Sequence, residues 1–418
     1  MYVCVMFPYP SGSGLHVGHY YNYAVMDSYC RWQRFKGETV FQPFGYDAFG
    51  LPAENYARQI GGDPREITYQ NIEHFRAQME RMNTQYEEKL ITSDDSYVKW
   101  TQWLFKLMQS RGLAYKKWSD VNWCPSCNTV LANEQAQTGK CERCGSQVET
   151  KNLNQWFFRI TDYKDRLIKG LETVDFPSST KKQQIDWLQK LQDWCVSRQR
   201  SWGCPIPIEG ETDTLDTFVD SSFYFLRYCT DSTEEFLPAK DYQQVDLYVG
   251  GPEHAVMHLL YARFVHMVLF DAGIVPTEEP FKRVVHQGMI TKDGAKMSKS
   301  RGNTVDPDDY DADELRMYLM FIGPYFEGGD WSDQHMVGQR RFLTRMRTWL
   351  SAASNEGNDI DTAELEAGIN RNVESFKFNK VVSGLMEFYN RNKNTPLSKK
   401  SAARIQAILK NFAPAFSL

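Results

Sequence analysis

YVCVMFPYPSGSGLHVGH, residues 2–19, opens the chain and decides how the rest is read. Tyr2 to Phe7 is a short apolar run rich in β-formers and closed by Pro8, which predicts a buried strand. Pro8, Pro10, Gly12 and Gly14 then enforce a loop. From His19 to Phe35 apolar and aromatic residues recur without Gly or Pro, so a helix is predicted there. His16 and His19, three residues apart, share one face where the loop enters its first turn. A Gly-rich loop between a strand and a helix N-terminus makes an anion site, because the first backbone N–H groups lack helical partners and the dipole is positive at that end. Two imidazoles add donors for phosphate oxygens. Taken alone, so short a motif also fits a surface turn with two incidental histidines.

Working outward, Glu38 to Phe44 predicts a second strand, which with the first makes a β-α-β unit and a parallel sheet. Asp47 stands just past the carboxyl end of that strand, where open α/β sheets bind ligands. Pro64 to Gly112 reads as two helices, with Trp100, Trp103 and Leu104 as core candidates. Cys124 and Cys127, then Cys141 and Cys144, form two CxxC pairs separated by thirteen residues. Four thiolates at this spacing predict a tetrahedral Zn²⁺ site, and a full set of sulfur ligands leaves no position open for substrate, so its role is structural.

Further on, Asn154 to Arg159 predicts a strand and Tyr163 to Leu171 a short helix. Phe218, Ser221 and Tyr224 recur at helical spacing. The strand Val245 to Val249 runs into Gly250-Gly251-Pro252-Glu253-His254, and His254 and His258 share a helix face without a third metal ligand nearby. Lys282 to Ile290 predicts the strand before Lys296-Met297-Ser298-Lys299-Ser300, a loop between the turn signals Asp293-Gly294 and Gly302-Asn303. Helices are predicted over 312–318, 335–352, 363–393 and 401–412.

The pairing of HVGH after the first strand with KMSKS late in the core resembles the two signatures of class I aminoacyl-tRNA synthetases. Within that class, GYDAFGLPAEN, LNQWFFRITDY, SRQRSWGCPIP, DTFVDSSFYFLRY and GGPEHAVMHLLYARF resemble the leucyl-tRNA synthetases of bacterial type, in the family's order from Tyr2 to about Trp331. The resemblance implies a doubly wound α/β parallel-sheet nucleotide-binding core with an inserted zinc-binding module and a C-terminal α-helical bundle. The expected segments are 1–115 and 191–310 for the two halves of the core, 116–190 for the zinc module and 311–418 for a shortened tRNA-binding bundle.

By the same resemblance, leucine and ATP would give leucyl-adenylate, and tRNA(Leu) would receive the leucyl group. His16, His19, Lys296 and Lys299 would be catalytic, with Mg²⁺ sharing the phosphate charge. Gly18, Gly250, Gly251, Glu253, Met289 and Ser298 would bind ATP; Pro252 departs from the family's usual Ile. Asp47 would hold the substrate ammonium, and Met6, Phe7, Tyr9, Phe218, Ser221, Tyr224, His254 and His258 would surround its side chain. Arg198 and Arg200 would lie near the acceptor strand. In the family an editing domain enters around the region of Trp187 to Leu191, and QQIDWLQKLQDWCVSRQR leaves no space for one. A compact form without editing and C-terminal domains is expected.

The 418 residues suffice for two or three domains. The net charge of −5 is uneven: residues 334–418 hold thirteen Lys and Arg against seven Asp and Glu, a surplus of +6 that leaves −11 elsewhere. A basic tail suits a polyanion such as RNA. No apolar run approaches a membrane span and the N-terminus lacks the basic patch and long apolar stretch of a secretory signal, so a cytoplasmic protein is expected; a monomer is expected alongside, with no residue pattern that fixes the oligomeric state. Cys4, Cys30, Cys195, Cys204 and Cys229 read as reduced buried thiols. Two other functions stay open at this stage: activation of an amino acid for a carrier protein or small acceptor, and non-catalytic RNA binding.

Overall fold

The computed structural model describes residues 1–10, 14–136, 138–141, 144–297 and 302–418. Its centre is a parallel sheet. Val3–Val5 pairs in parallel with Val245–Gly250, which pairs in parallel with Phe281–His286. On the other side of Val3–Val5, a parallel bridge joins Tyr2 to Phe41, just ahead of Pro43–Tyr46, and that strand pairs in parallel with Glu87–Ile91. The chain therefore winds outward in both directions from Val3–Val5. The crevice between Val3–Val5 and Val245–Gly250 is the topological switch point, where doubly wound sheets bind ligands.

Burial explains these strands. Val3, Val5, Val245 and Val249 are at most 1% exposed, as expected of strands covered on both faces. The crossover from the first strand is the helix Val17–Phe35, which buries Tyr20, Tyr21, Val25 and Met26 against the sheet and the later helices. Asp27 on this helix is fully buried and pairs at 2.7 Å with Arg316 of the helix Ala312–Phe321. Burial alone would raise the Asp27 carboxyl, but the guanidiniums of Arg316 and Arg31 bring it below its usual value. One apolar cluster thus unites the opening half of the sheet with the C-terminal helices Asp333–Ser351, Ala363–Glu374, Phe378–Asn392 and Lys399–Leu409. A second holds the remaining core together with the base of a long ribbon, Ala114–Cys124 against Glu149–Phe158.

Several expectations are corrected. The second strand begins at Pro43 rather than Glu38. Between the two helices expected over 64–112, now Pro64–Arg81 and Asp95–Ser110, lies the strand Glu87–Ile91. Its Glu87 and Glu88 are exposed, and charge on an edge strand is what hides it in the sequence. The strand expected over 282–290 breaks at Gln287-Gly288: Gly288 donates to the Tyr325 carbonyl at 2.7 Å, and Met289–Lys292 changes partner to a further unpredicted strand, Gly328–Asp330. A methyl on Gly288 would enter the backbone of Glu327 and Gly328, so the crossing needs glycine. The helix expected over 363–393 stops at Ser375–Lys377, where Phe376 takes φ +56° and buries its ring against Tyr29 at 5.5 Å. Among the described residues, no helix is long and apolar enough to cross a membrane.

Candidate active site and metal centre

A cavity of about 890 Å³ opens at the switch point, lined by His16, Gly18, His19, Gly251, Glu253, Met289 and Lys296 among others. His16 is the N-cap of Val17–Phe35 and His19 its third residue, and the two form a reciprocal capping box. The His16 Nδ1 accepts from the Gly18 N–H at 3.0 Å, and the His19 Nδ1 accepts from the His16 N–H at 3.2 Å. With both Nδ1 atoms accepting, the proton of each neutral ring sits on Nε2. The rings lie 4.0 Å apart, so two N–H donors stand together at a helix N-terminus. A methyl on Gly18 would press into the His16 ring, so the fold-back depends on glycine.

Pro10 and Leu15, ahead of these histidines, are latched by the helix Pro64–Arg81, in which the sequence shows no chemistry. Gln78 Oε1 accepts from the Leu15 N–H at 2.7 Å, and Asn71 Nδ2 donates to the Pro10 carbonyl at 2.9 Å. No spacing rule identifies them, since polar residues on a helix usually face water.

On the opposite wall, Gly251 and Glu253 follow Val245–Gly250, and Met289 and Lys296 stand exposed on the hairpin Met289–Lys292 and Ala295–Lys296. Gly250 lies at the strand's end, hydrogen-bonded to His286 through its carbonyl. Ser298 and Lys299 lie outside the described residues.

The residues expected around an amino acid are mostly buried and line no part of that cavity. Asp47 is 2% exposed, accepts from Thr217 Oγ1 at 3.1 Å, and has no cationic partner among the described residues. Burial pushes its carboxyl well above the usual range, only partly offset by bonds from Thr217 and Thr92. Nearby Asp220 is fully buried, with burial and the Asp47 charge both pushing it up. Thr92 and Trp202 hold the next residue, Ala48, through its N–H and its carbonyl. Phe7 stacks on Tyr224 at 3.9 Å, with planes 4° apart. The Tyr224 hydroxyl bonds that of Tyr248, which bonds His258 Nε2 at 2.5 Å. Burial, helped by neighbouring His254, drives the His258 imidazole down to about 3, so it stays neutral. Ser221 packs beneath Phe218, with its hydroxyl directed to the Phe218 carbonyl. Met6 is held through its backbone, its N–H donating to Val249 and its carbonyl accepting from the Tyr23 hydroxyl. Tyr9 and Phe218 line a void of only about 40 Å³ with Gly50, Leu51 and Trp202. That is room for about one water molecule.

Arg198 and Arg200 are corrected. Arg198 is buried and pairs with Asp216 at 2.6 Å, and the side chain of Arg200, with 5% of its surface exposed, pairs with Glu54 at 3.2 Å. Neither guanidinium faces solvent, because each neutralises an internal carboxylate.

The zinc expectation fits. The Sγ atoms of Cys124, Cys127, Cys141 and Cys144 all lie within 4.8 Å of one another, a spread matching thiolates about 2.3 Å from one ion. The Cys127 N–H donates to Cys124 Sγ at 3.3 Å. Apart from the cysteines, the apolar cluster here among the described residues holds Leu51 and Leu131, with Ala136 and Val148 partly buried against it, too small to hold the module by apolar burial. Leu51 begins the helix Leu51–Ile60, so the module packs directly on the segment following Asp47.

Residues 1–341 match the family described as tRNA synthetases class I (M). The chain is 30% identical to a leucine--tRNA ligase of Clostridium kluyveri over 689 aligned residues, covering 100% of this chain and 85% of that protein. It is 31% identical to one from Clostridium botulinum, with the same coverage. The alignments exceed this chain's 418 residues, so the relatives carry residues inside the matched span that have no counterpart here. Among solved structures, the LeuRS-tRNA-LeuAMS ternary complex of Agrobacterium radiobacter K84 agnB2 superposes with a TM-score of 0.90 at 25% identity, covering 99% of this chain and 83% of that one. The methionyl-tRNA synthetase of Mycobacterium tuberculosis bound by methionyl-adenylate shares the fold, with a TM-score of 0.74 at 20% identity and coverage of 99% and 92%.

Proposed function

The chain belongs to the class I tRNA synthetases, among the leucine--tRNA ligases, and from that premise we propose that it activates leucine with ATP and transfers it to tRNA(Leu). A leucine carboxylate oxygen attacks the α-phosphorus of ATP, the bond to the β,γ-diphosphate breaks, and leucyl-adenylate and pyrophosphate form. The tRNA 3′-terminal hydroxyl then attacks the leucyl carbonyl and AMP leaves. Little covalent work falls to the protein, so catalysis is positioning and charge stabilisation.

The observation that carries this reading is the pair of charge preferences at the sheet's end: Asp47, one residue past the strand Pro43–Tyr46, is a buried carboxylate without a cation among the described residues, and the large cavity is lined by a histidine-capped helix N-terminus. One end wants an ammonium and the other a phosphate, which is the charge pattern of an amino acid meeting ATP. His16 and His19 donate to the phosphates through Nε2, Lys296 and Lys299 follow the charge onto the departing pyrophosphate, and Glu253 accepts from ribose hydroxyls. Gly18, Gly250, Gly251, Met289 and Ser298 complete the nucleotide site. The remaining pocket residues, Met6 to His258, surround the leucine side chain, which must open the small void beside Tyr9 and Phe218 to enter. Cys124, Cys127, Cys141 and Cys144 would hold a Zn²⁺ that stabilises the inserted module, and a Mg²⁺ arriving with ATP would share the triphosphate charge.

We assign 1–115 and 191–310 to the catalytic core, 116–190 to the zinc module and 311–418 to tRNA binding, in a cytoplasmic monomer. The helix Ser178–Gln189 is separated from the strand Trp194–Cys195 by four residues, which supports a synthetase without post-transfer editing. Leucine-dependent exchange of pyrophosphate into ATP, followed by charging of purified tRNA(Leu), tests the proposal. Exchange without charging would transfer the reading to a carrier or small-molecule acceptor, and no exchange with any amino acid would end it.

A further inference from the structure

The loop from Gly250 to Ala255 supplies one wall of the large cavity through Gly251, Pro252 and Glu253. Side chains outside every motif in the sequence hold both of its ends. At the start, His286 Nδ1 lies 2.9 Å from the Gly250 carbonyl oxygen. A carbonyl only accepts, so Nδ1 carries the proton, and Nε2 of the neutral ring accepts from the Thr180 hydroxyl 2.8 Å away. Thr180 is 1% exposed and sits on the helix Ser178–Gln189.

One turn along the same helix face is Gln184, fully buried. Its Nε2 donates to the Ala255 carbonyl at 2.8 Å, while its Oε1 accepts from Arg263 at 2.9 Å. Arg263 is fully buried and forked onto Glu279, so it cannot turn away. The guanidinium donates only, which fixes the amide with its oxygen towards Arg263 and its nitrogen towards the loop. One helix therefore grips both ends of the loop, directly at Ala255 and through an imidazole at Gly250.

Gly250 and His286 are the last register partners of their two parallel strands. Beyond that rung the loop bends through a turn of its own, His254 donating to the Gly251 carbonyl at 3.3 Å and Ala255 to that of Pro252 at 3.2 Å, and among the described residues it is tied to the rest of the fold through side chains. We propose that His286, steered by Thr180, is a positioning residue for the nucleotide: it fixes the Gly250-Gly251 backbone at the angle adenosine requires. The proposal rests on the ATP-dependent reading above. It adds a residue outside both signature motifs and assigns the helix Ser178–Gln189 a part in ATP affinity.

The test compares wild type with His286→Leu, which fills the space without bonding, and His286→Asn, whose Nδ2 can still donate to Gly250. Thr180→Val and Thr180→Ser form a second pair acting on the ring from behind. ATP affinity is read by calorimetry, KM for ATP and for leucine by pyrophosphate exchange, and folding by thermal melting. Loss of one hydrogen bond predicts that ATP binds about threefold to tenfold more weakly in His286→Leu, with leucine KM unchanged. His286→Asn should recover most of that loss, and Thr180→Val should weaken ATP by a smaller factor that Thr180→Ser restores. Unchanged ATP affinity in both His286→Leu and Thr180→Val overturns the proposal. Equal rises in both KM values with a matching fall in melting temperature also overturn it, since that marks a merely structural residue. Wild-type protein that binds ATP but exchanges with no amino acid defeats the activation reading alone, and the calorimetric comparison still decides His286.

Discussion

Replacing Asp47 by asparagine should separate activity from stability, moving them in opposite directions. In the ligand-free fold the carboxyl is buried, bonded to Thr217 and Thr92, and lacks a cation among the described residues. Its folded pKa is raised above the unfolded value of about 3.9. The sign then follows. Its contribution to stability is fully present below the unfolded pKa and is lost as pH rises through the raised folded pKa, because ionising a buried acid is unfavourable. The amide in Asp47→Asn cannot ionise, so the variant should melt at or above the wild-type temperature at neutral pH, and the difference should shrink towards pH 4. With leucine the order reverses. Removing one partner of a buried charge pair costs about 3 to 5 kcal/mol, so kcat/KM for leucine should fall by roughly two to four orders of magnitude. ATP affinity should change little. Pyrophosphate exchange at varied leucine, with melting curves from pH 4 to 8, measures both halves. A variant that melts well below wild type while keeping its leucine kcat/KM within threefold would refute the reasoning.

Lys296→Ala should lower the exchange rate by about a hundredfold while leucine binding, followed by calorimetry, holds, because the ammonium acts on charge that develops only in the transition state. Arg316→Met should destabilise the fold by removing one of the two guanidiniums on the buried Asp27 carboxylate, by less than the about 3 to 5 kcal/mol of a fully unpaired charge because Arg31 still pairs with it at 2.7 Å, and Asp27→Leu in the same chain should restore part of the loss. In wild type the depressed Asp27 pKa gives the opposite acid response to Asp47: its stability is present above about pH 4 and disappears as pH falls through the folded pKa, as chemical denaturation at low pH would show. Cys141→Ser or a strong chelator should unfold the inserted module, read as loss of bound zinc and of protease resistance around 116–150, with retained zinc and resistance counting against a metal-held module. On the proposal that post-transfer editing is absent, amino acids differing from leucine by one methylene should stay attached to tRNA, since such a group supplies only about 1 to 3 kcal/mol of discrimination; prompt deacylation by the purified protein would contradict this.

Much of the catalytic end is legible in the sequence because glycines, prolines and histidines act locally. HVGH predicts imidazoles at a helix start, and His16 is found as an N-cap with His19 in a capping box. Asp47 is expected past a strand end, and it stands one residue beyond Pro43–Tyr46. The four cysteines converge as their spacing requires. What escapes depends on distant chain. Glu87–Ile91 reads as a charged helix until Pro43–Tyr46 lies beside it. Phe376 interrupts a helical pattern only because Tyr29, far away in sequence, gives its ring a place to stack. Arg198 and Arg200 carry no mark of the carboxylates that claim them. His286, Thr180 and Gln184 are polar residues of ordinary appearance, and their positions become informative only when the loop they grip is folded against them.

The neighbours of the first strand carry a consequence for synthesis of the chain itself. The Tyr2 N–H donates to Asp246 at 2.7 Å, a partner 244 residues downstream. At the usual pace of about 5 to 20 residues per second, the amino-terminal strand waits roughly 12 to 50 seconds for the edge it must join. During that interval the edge facing Val245–Gly250 has no backbone partner, although Phe41 and the helix Val17–Phe35 are already available on its other sides, and that edge is open to chaperones and wrong pairings. Catalytic competence is therefore gained late in translation rather than accumulated gradually.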